Sequence, residues 1–258
     1  MATPQSGVLP EGNSHALFLT LRIDGGVDDA LQRVRSACGA LPALTDELAG
    51  SDPGATLRSV VAFGSGAWDL LFPVARPAQL DVFRAREDGS RNAPSTPADL
   101  LLHIRSERRD LNYELIRQAR ALLGGGGVAV EEVAGFRYLD NRDLTGFVDG
   151  TENPEDDERA EVALVGDEDV AFTGGSYIHM QRYVHDLARW EDLAVAEQEV
   201  VIGRTKPEDT ELPSGVKPPT AHISRVVIKE DGEELEILRH SMPYGYSDEA
   251  GLVFIAYG

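Results

Sequence analysis

The chain is poor in cysteine and in lysine. Cys38 is the one cysteine among 258 residues, and lysine occurs only at Lys206, Lys217 and Lys229. A single cysteine excludes a disulfide within one chain and a metal site built from several thiolates. The C-x-x-C-H motif is also missing, so any haem would be held without thioether bonds. We therefore expect a protein of a reducing compartment.

Positive charge is in short supply as well. The formal net charge is −20 at pH 7. This excess of acid argues against nucleic acid and anionic membrane surfaces as partners. No apolar run approaches the length of a membrane span, and the N-terminal residues lack the basic and apolar regions of a signal peptide. The sequence therefore predicts a cytoplasmic protein with no membrane partner.

Several nucleotide and hydrolase motifs are absent too. The chain has no P-loop and no G-x-S-x-G motif, and the glycine run Gly124–Gly127 lacks G-x-G-x-x-G spacing. Because that run follows a predicted helix, it is interpreted as a helix cap and loop. The apolar fraction of 42% is ordinary for a globular protein, and the length suits one large domain or two small ones.

The first 138 residues alternate between strand-like and helix-like patterns. Strands are predicted at Ser14–Ile23, Leu57–Phe63, Ala98–Ser106 and Val128–Tyr138, and helices at Asp28–Leu41, Trp68–Phe72 and Asp110–Leu123. The four strands and two longer helices follow the order β-α-β-β-α-β, which is the ferredoxin-like arrangement. Residues 1–13 are expected to form an arm, and Ala85–Pro97 a polar loop.

The rest of the chain predicts a central loop and a second unit of the same kind. Strands are predicted at Ser176–Asp186, His222–Lys229, Glu233–Ser241 and Leu252–Tyr257, with a helix at Leu187–Val195 and an irregular linker over 205–220. The middle two strands would form a hairpin around Glu230-Asp231-Gly232. We therefore expect an α+β fold with two ferredoxin-like halves, 1–138 and 176–258, separated by the loop segment 139–175. The second half would end before its last helix and strand.

A lone carboxylate marks the central loop. In the stretch GFVDGTENP, Asp149 lies between Phe147-Val148 and Gly150, with Gly146 on the other side. Apolar neighbours raise the pKa of a carboxyl by desolvation, and glycines such as Gly150 let the backbone approach a flat ligand. This pattern predicts an acid–base residue; the alternative is an ordinary surface loop that carries an aspartate.

His222 stands out among the six histidines by its context. It follows the stiff stretch Lys217-Pro218-Pro219-Thr220-Ala221 and begins a predicted strand. A neutral imidazole there could ligate iron, with its other ring nitrogen held by Glu208, Asp209 or Glu211. The alternative, which is the commoner case for a single histidine, is an ordinary structural residue.

Arg239 is the second unusual residue, because its predicted strand places it on one face with Leu235 and Ile237. An inward-facing arginine keeps its charge and needs an anion or several acceptors. The functional interpretation is a cation aimed at an anionic ligand, and the alternative is an arginine that reaches solvent from a strand end. Arg204, in VVIGRTK, could bind a carboxylate of a cofactor.

Three elements coincide in this sequence: GFVDGTENP, the histidine in KPPTAHISRVVI and the arginine in LEILRHSMPYG. Together they resemble the dye-decolourising peroxidase family, most closely its B-type cytoplasmic subgroup. The resemblance extends over nearly the whole chain, including GGSYIHMQRYVHDL and VVIGRTK.

The resemblance implies two packed ferredoxin-like halves with non-covalent haem b in the second. By matching position, His222 is implied as the proximal iron ligand, Asp149 as the distal acid–base and Arg239 as the distal arginine. Arg204 is implied to meet a haem propionate, and Glu152, Gly150 and Phe254 to line the pocket.

The implied function is a peroxidase that reduces hydrogen peroxide and oxidises organic donors such as dyes and phenolics, one electron at a time. Members of the subgroup usually continue past FIAYG, and some dock into a protein shell. We therefore expect a homo-oligomer, with completeness of the second half and haem retention as open questions. Two other functions remain open: a haem carrier with little turnover, and an interaction protein without haem.

Overall fold

The protein is described by a computed structural model that covers residues 3–89 and 91–258. The chain divides into two compact units. The first runs to Gly135 and also includes Leu164–Tyr177, and the second comprises Phe136–Ala163 and Ile178–Gly258. The division into 1–138, 139–175 and 176–258 stays a prediction, and the first residues of the expected arm lie outside the described part of the chain.

The first unit is built on a four-stranded sheet. Its strands are β1 (His15–Ile23), β2 (Arg58–Phe63), β3 (Arg86–Asp88), β4 (Arg91–Ala93), β5 (Leu100–Ser106) and β6 (Gly127–Phe136), and its helices are α1 (Ala30–Ser51), α2 (Ser65–Leu71) and α3 (Arg109–Leu123). The sheet order is β2-β5-β1-β6, with β1 and β2 both antiparallel to β5. Two crossing helices and this strand order confirm the ferredoxin-like arrangement predicted for this part of the chain.

The core of the first unit follows the two-residue period of its strands. Leu17, Leu19 and Leu21 of β1 belong to the main core cluster, together with alternate residues of β5 and the apolar face of α3. The helices α1 and α3 pack against each other and against the sheet. On the opposite face of the sheet, Phe18 stacks on His103 with ring centroids 4.6 Å apart.

Two local predictions for the first unit were wrong. The helix predicted to end at Leu41 continues to Ser51 through Pro42, because Leu41 and Thr45 extend its buried stripe by another turn. The segment Ala85–Pro97 is not only a loop, since β3 and β4 pair within it as a short antiparallel hairpin. Residue 90 in that segment lies outside the described residues.

The second unit is organised around its last strand. Its strands are β7 (Ile178–Val184), β8 (Lys229–Glu230), β9 (Glu233–Glu234), β10 (Leu238–Arg239), β11 (Met242–Gly245) and β12 (Ala250–Tyr257), and its helices are α4 (Glu158–Ala163), α5 (Leu187–Glu191), α6 (Val195–Ile202) and α7 (His222–Val226). β12 pairs antiparallel with β7 along one edge. Along the other edge it pairs with β10 and then β11.

The predicted strand His222–Lys229 was wrong in this unit. Residues His222–Val226 form the short helix α7, which begins after the turn in which the Ala221 N–H donates to the Pro218 carbonyl. The apolar run Val226-Val227-Ile228 is exposed and lacks the alternation that a half-buried strand needs. The predicted hairpin turn itself is confirmed: Asp231 and Gly232 both have positive φ between the paired Glu230 and Glu233.

The predicted inward face of the Arg239 strand was also wrong. Leu235 and Ile237 are 53% and 42% exposed, whereas Leu238 and His240 are 0% and 6% exposed. Buried and more exposed residues therefore alternate from Ile237 onwards, but it is Leu238, not Arg239, that enters the core of the unit. Arg239 lies on the other face of the sheet.

Candidate active site

A compact loop in the second unit holds Asp149. The backbone N–H of Asp149 donates to the Asn141 carbonyl at 2.9 Å, and that of Asp143 donates to the Phe147 carbonyl at 2.9 Å. Gly146 and Gly150 have φ values of 86° and 84°, a conformation that glycine adopts without steric cost. The loop thus fixes the backbone of Asp149 from both sides.

Arg142 fastens this loop to the segment after α6. Its guanidinium donates to the carbonyl of Gly146 at 2.8 Å, of Lys206 at 2.6 Å and of Pro207 at 3.1 Å. A planar guanidinium with several donors is well suited to joining carbonyls from two chain segments. The loop with Asp149 and the segment with Arg204 are therefore held together.

The electrostatic surroundings of Asp149 favour its protonated form. Burial raises the pKa of the Asp149 carboxyl, and the negative charge of Asp143 acts in the same direction. The positive charge of Arg239 and the ring of His222 oppose that rise in pKa. The three residues, which lie far apart in the sequence, are thus close enough in the second unit for each charge to act on the others.

His222 is the first residue of helix α7, and the residues on either side of it are closely packed. Ala221 before it is fully buried. The α-carbon of Gly203 lies so close to α7 that an added β-carbon would be 2.6 Å from Cγ1 of Ile223. Burial of the ring and the charge of Arg239 lower the pKa of His222, against the opposing effect of Asp149. These influences favour the neutral imidazole, which is the form that binds a metal.

Arg239 and Phe254 share one face of the sheet. In the β10–β12 register Arg239 lies opposite Ala256, and Phe254 follows two positions away on β12. The side chain of Phe254 meets the ring of His179 edge to face, with centroids 6.4 Å apart. The face opposite the core of the unit therefore carries a cation beside an aromatic ring.

Arg204 is surrounded by acceptors. Its guanidinium donates to Glu152 at 3.0 Å and to the Asp209 carboxylate at 2.7 Å, and also to the Asp209 carbonyl. Asp209 also accepts a hydrogen bond from Thr151, while Glu211 pairs with Lys217. Of the three acids proposed as acceptors for His222, two are thus engaged with other residues.

A hydrogen-bonded histidine–aspartate pair that the sequence did not predict involves Asp143 of the Asp149 loop. Nε2 of His185 is 3.0 and 3.1 Å from the two carboxylate oxygens of Asp143. Although burial works to raise the pKa of Asp143, hydrogen bonds from His185 and Thr145 hold it below its ordinary value. The spacing Asp143-Leu144-Thr145 before Gly146 is typical of an Asx turn and was a usable local signal. Nothing local in the sequence pointed to His185 as the partner.

Asn153 is the second residue that sequence reasoning missed. Its side-chain amide pairs with the backbone of Arg239: Oδ1 accepts from the Arg239 N–H at 2.8 Å, and Nδ2 donates to the Arg239 carbonyl at 3.0 Å. Asn153 belongs to the same GFVDGTENP stretch as Asp149, so this stretch contacts the strand that carries Arg239.

Comparison with protein-family models covers the chain almost from end to end. The model described as "Dyp-type peroxidase, N-terminal" matches residues 5–137, and "Dyp-type peroxidase, C-terminal" matches residues 140–258. A dye-decolorizing peroxidase from Mycolicibacterium paratuberculosis is 44% identical over 245 residues, which is 94% of this chain and 68% of that protein.

Solved structures agree in fold. The encapsulated DyP-type peroxidase from Mycobacterium smegmatis superimposes with a TM-score of 0.96 at 43% identity, over 100% of this chain and 83% of that one. A variant of DypB from Rhodococcus jostii in complex with heme gives a TM-score of 0.95 at 42% identity, over 99% of this chain and 83% of that one. Matches of this extent leave no part of the fold unaccounted for, and the chain belongs to the Dyp-type peroxidase family.

Proposed function

We propose that the protein is a haem peroxidase that reduces hydrogen peroxide and oxidises organic donors such as dyes and phenolics, one electron at a time. The observation that carries this proposal is the convergence of Asp149, Arg239 and His222 within the second unit. An acid–base group and a cation beside a neutral histidine suit the cleavage of a peroxide. Membership of the Dyp-type peroxidase family supports the same reaction.

The residues present fit a non-covalently held haem b. Among the described residues there is no group of three or more His, Cys, Asp or Glu side chains that could hold a metal by themselves. One histidine is sufficient when a macrocycle supplies the other ligands. Near His222 and Arg239 in the sequence, exposed apolar side chains offer the surface that a flat apolar ring covers: Val226, Val227, Ile228, Leu235 and Ile237.

His222 is the residue we assign to the iron. Its lowered pKa favours the neutral imidazole, and its backbone lies in the first turn of helix α7. The complex of the Rhodococcus jostii relative with heme supports the cofactor assignment. When bound, haem supplies the redox chemistry, taking electrons from the organic donors and passing them to peroxide.

Asp149 and Arg239 carry the proton and charge steps. Asp149 in its ionised form would take a proton from one oxygen of hydrogen peroxide and return it to the other, which leaves as water when the O–O bond breaks. Two electrons from the organic donors and two protons from solvent would convert the remaining oxygen into a second water. Arg239 stabilises the negative charge that develops as the O–O bond breaks. A carboxylate whose pKa is raised by burial is a stronger base than an ordinary aspartate.

Four further residues are assigned to the cofactor pocket. Arg204 is a cation for a haem propionate, with Glu152 and Asp209 holding its guanidinium in place. Gly150, at φ 84° and without a side chain, would leave room for a flat ring, and Phe254 lies on the same sheet face as Arg239.

We further propose a cytoplasmic location, a homo-oligomer and a protein shell as partner. The encapsulated relative from Mycobacterium smegmatis supports the shell. Among the described residues, no helix combines the length and apolarity that a membrane crossing requires. The acidic net charge of −20 argues against nucleic acid as a partner.

A haem titration tests the cofactor assignment, followed by peroxide turnover with a dye donor. The wild type is expected to bind one haem with a single-histidine ferric spectrum, and His222→Ala to lose that spectrum. Asp149→Ala and Arg239→Leu should keep the haem and lose turnover. Stoichiometric haem with rapid transfer to an apoprotein and no peroxide turnover would point to a haem carrier instead.

A further inference from the structure

The backbone of Arg239 lies at the edge of a sheet. Strand β10 has only two residues, and it pairs with β12 along one side. The N–H of His240 donates to the Ile255 carbonyl at 3.0 Å, which makes that residue pair the hydrogen-bonded type. Since hydrogen-bonded and non-hydrogen-bonded pairs alternate in an antiparallel ladder, the N–H and C=O of Arg239 point away from β12.

The side chain of Asn153 forms hydrogen bonds with both the N–H and the C=O of Arg239. Its Oδ1 accepts from the Arg239 N–H at 2.8 Å, and its Nδ2 donates to the Arg239 carbonyl at 3.0 Å. A carboxamide carries its donor and its acceptor on two atoms bonded to the same carbon, so it can pair with the N–H and the C=O of one residue at once. Asn153 therefore acts towards Arg239 as an additional strand would.

Asn153 is itself tied to the loop of Asp149. Its backbone N–H donates to the Gly150 carbonyl at 3.1 Å, which closes a turn directly after Asp149. Gly150, the first residue of this turn, has a φ of 84°, a conformation that glycine adopts without steric cost. One short segment thus begins at the carboxylate and ends on the backbone of the arginine.

We propose that Asn153 is a positioning residue, which sets the place of the Arg239 guanidinium relative to Asp149. This inference rests on the proposed peroxidase function and deepens it, since Asn153 acts through Arg239. Displacing a catalytic group by about 1 Å can cost on the order of a hundredfold in rate. Two backbone hydrogen bonds are a means of preventing such a displacement at the end of a two-residue strand.

The first experiment compares Asn153→Ala with the wild type and with Asn92→Ala, a matched control on the exposed strand β4 of the first unit. All three are expected to bind haem equally. Asn153→Ala should lower kcat/KM for peroxide by about tenfold or more, with kcat/KM for the dye unchanged. An unchanged kcat/KM for peroxide overturns the proposal, and so does an equal loss in Asn92→Ala.

A double-mutant cycle separates positioning from general damage. In an Arg239→Leu background the guanidinium is gone, so Asn153→Ala should change kcat/KM for peroxide by less than about twofold. An equal fold-loss in both backgrounds would show that Asn153 acts elsewhere. Asn153→Asp keeps the acceptor for the Arg239 N–H and should recover part of the rate.

Hydrogen exchange supplies a measurement that does not depend on turnover. The Arg239 amide is expected to exchange faster in Asn153→Ala than in the wild type, and at an intermediate rate in Asn153→Asp. Equal exchange rates of the Arg239 amide in all three proteins would refute the proposal that Asn153 holds the Arg239 backbone, whatever the kinetic results. A wild type without peroxide turnover would overturn the proposed function, while the exchange rates would still decide whether Asn153 holds the Arg239 backbone.

Discussion

The imidazole of His185 lies 3.0 Å from the carboxylate of Asp143, which belongs to the loop that presents Asp149. Both side chains are largely shielded from solvent, at 19% and 14% exposed. Thr145 adds hydrogen bonds from its hydroxyl and its backbone N–H to the same carboxylate. Because the charge of Asp143 raises the pKa of Asp149, the pair gives the protein a means of tuning its acid–base residue.

Replacing Asp143 by asparagine should shift the pH dependence of peroxide turnover. Asp149 accepts a proton only when ionised, so kcat/KM for peroxide falls as the pH drops through its pKa, which lies above the 3.8 of an ordinary aspartate. Removing the negative charge of Asp143 lowers that pKa. The acid limb of the pH profile of Asp143→Asn should therefore move to lower pH.

His185→Gln is the matched control for that shift. Glutamine keeps a neutral hydrogen-bond donor near Asp143 and leaves its negative charge in place, so the acid limb should not move to lower pH. If both variants shifted the limb in the same direction by the same amount, the effect would come from loop disorder rather than from the charge of Asp143.

Removing either of the two proposed catalytic side chains should lower peroxide turnover without loss of haem. Asp149→Ala removes the acid–base group and should lower kcat/KM for peroxide by about 10²–10⁴-fold, a typical contribution of such a group. Arg239→Leu should cost about 10²–10³-fold through lost charge stabilisation. Stopped-flow mixing with peroxide measures both, and the visible spectrum reports whether haem is still bound.

Asp157→Asn is a suitable control because it changes a carboxylate in the exposed acidic run after the loop. It should leave peroxide turnover within about twofold of the wild type, since solvent screens charges on the surface. The losses from Asp149→Ala and Arg239→Leu are not expected to add, because the two groups act on one oxygen–oxygen bond. Full turnover in either variant would remove the role assigned to that residue.

The order of the main elements in the first unit could be predicted from the sequence, whereas the roles of His222, Asp149 and Arg239 stay predictions. Apolar residues recur with the two-residue period of a strand in β1 and with the helical period in α3. These local patterns reflect which face of each element is buried, so the elements of this unit could be predicted. His222, Asp149 and Arg239 each stand in a recognisable stretch.

Prediction failed where the outcome depends on distant partners. The strand β11 was missed because Pro243 and Gly245 are typical of turns, and only pairing with β12 makes the segment a strand. The contacts of His185 with Asp143, and of Asn153 with Arg239, join residues 42 and 86 positions apart, and no local pattern encodes such a contact. The predicted strand at α7 failed for a local reason, because the apolar run Val226-Val227-Ile228 does not alternate with polar residues.

Neutralising Asp149 should stabilise the protein while it abolishes turnover. Its pKa is raised in the folded state, so its contribution to stability is present below the ordinary aspartate pKa and is lost as the pH rises through the raised one. Asp149→Asn should therefore raise Tm at pH 7, by about 2–4 °C for each kcal/mol relieved. The gain should largely vanish at about pH 3, below the 3.8 of an ordinary aspartate, where the wild-type carboxyl is mostly protonated in both states. A gain of equal size at both pH values would mean that relief of the buried charge is not its cause.

Adding one methyl group at Gly203 should weaken haem binding from a distance. Gly203 has φ 98°, and a β-carbon there would lie 2.6 Å from Cγ1 of Ile223, one residue after His222. Gly203→Ala therefore combines a backbone strain of about 1–3 kcal/mol with a displacement of helix α7. The haem affinity, measured by titration of the visible absorption, should fall by about tenfold or more.

Two further variants decide whether the displacement of α7 is the cause. Gly215→Ala, in the linker before His222, meets nothing within 4 Å of its new β-carbon and should bind haem as the wild type does. Ile223→Ala in the Gly203→Ala background removes the two nearest atoms and should restore part of the affinity, leaving the loss due to backbone strain and to the Ala221 β-carbon, which would lie 3.2 Å away. If the second substitution restored nothing, the position of His222 would not depend on the packing between Gly203 and α7.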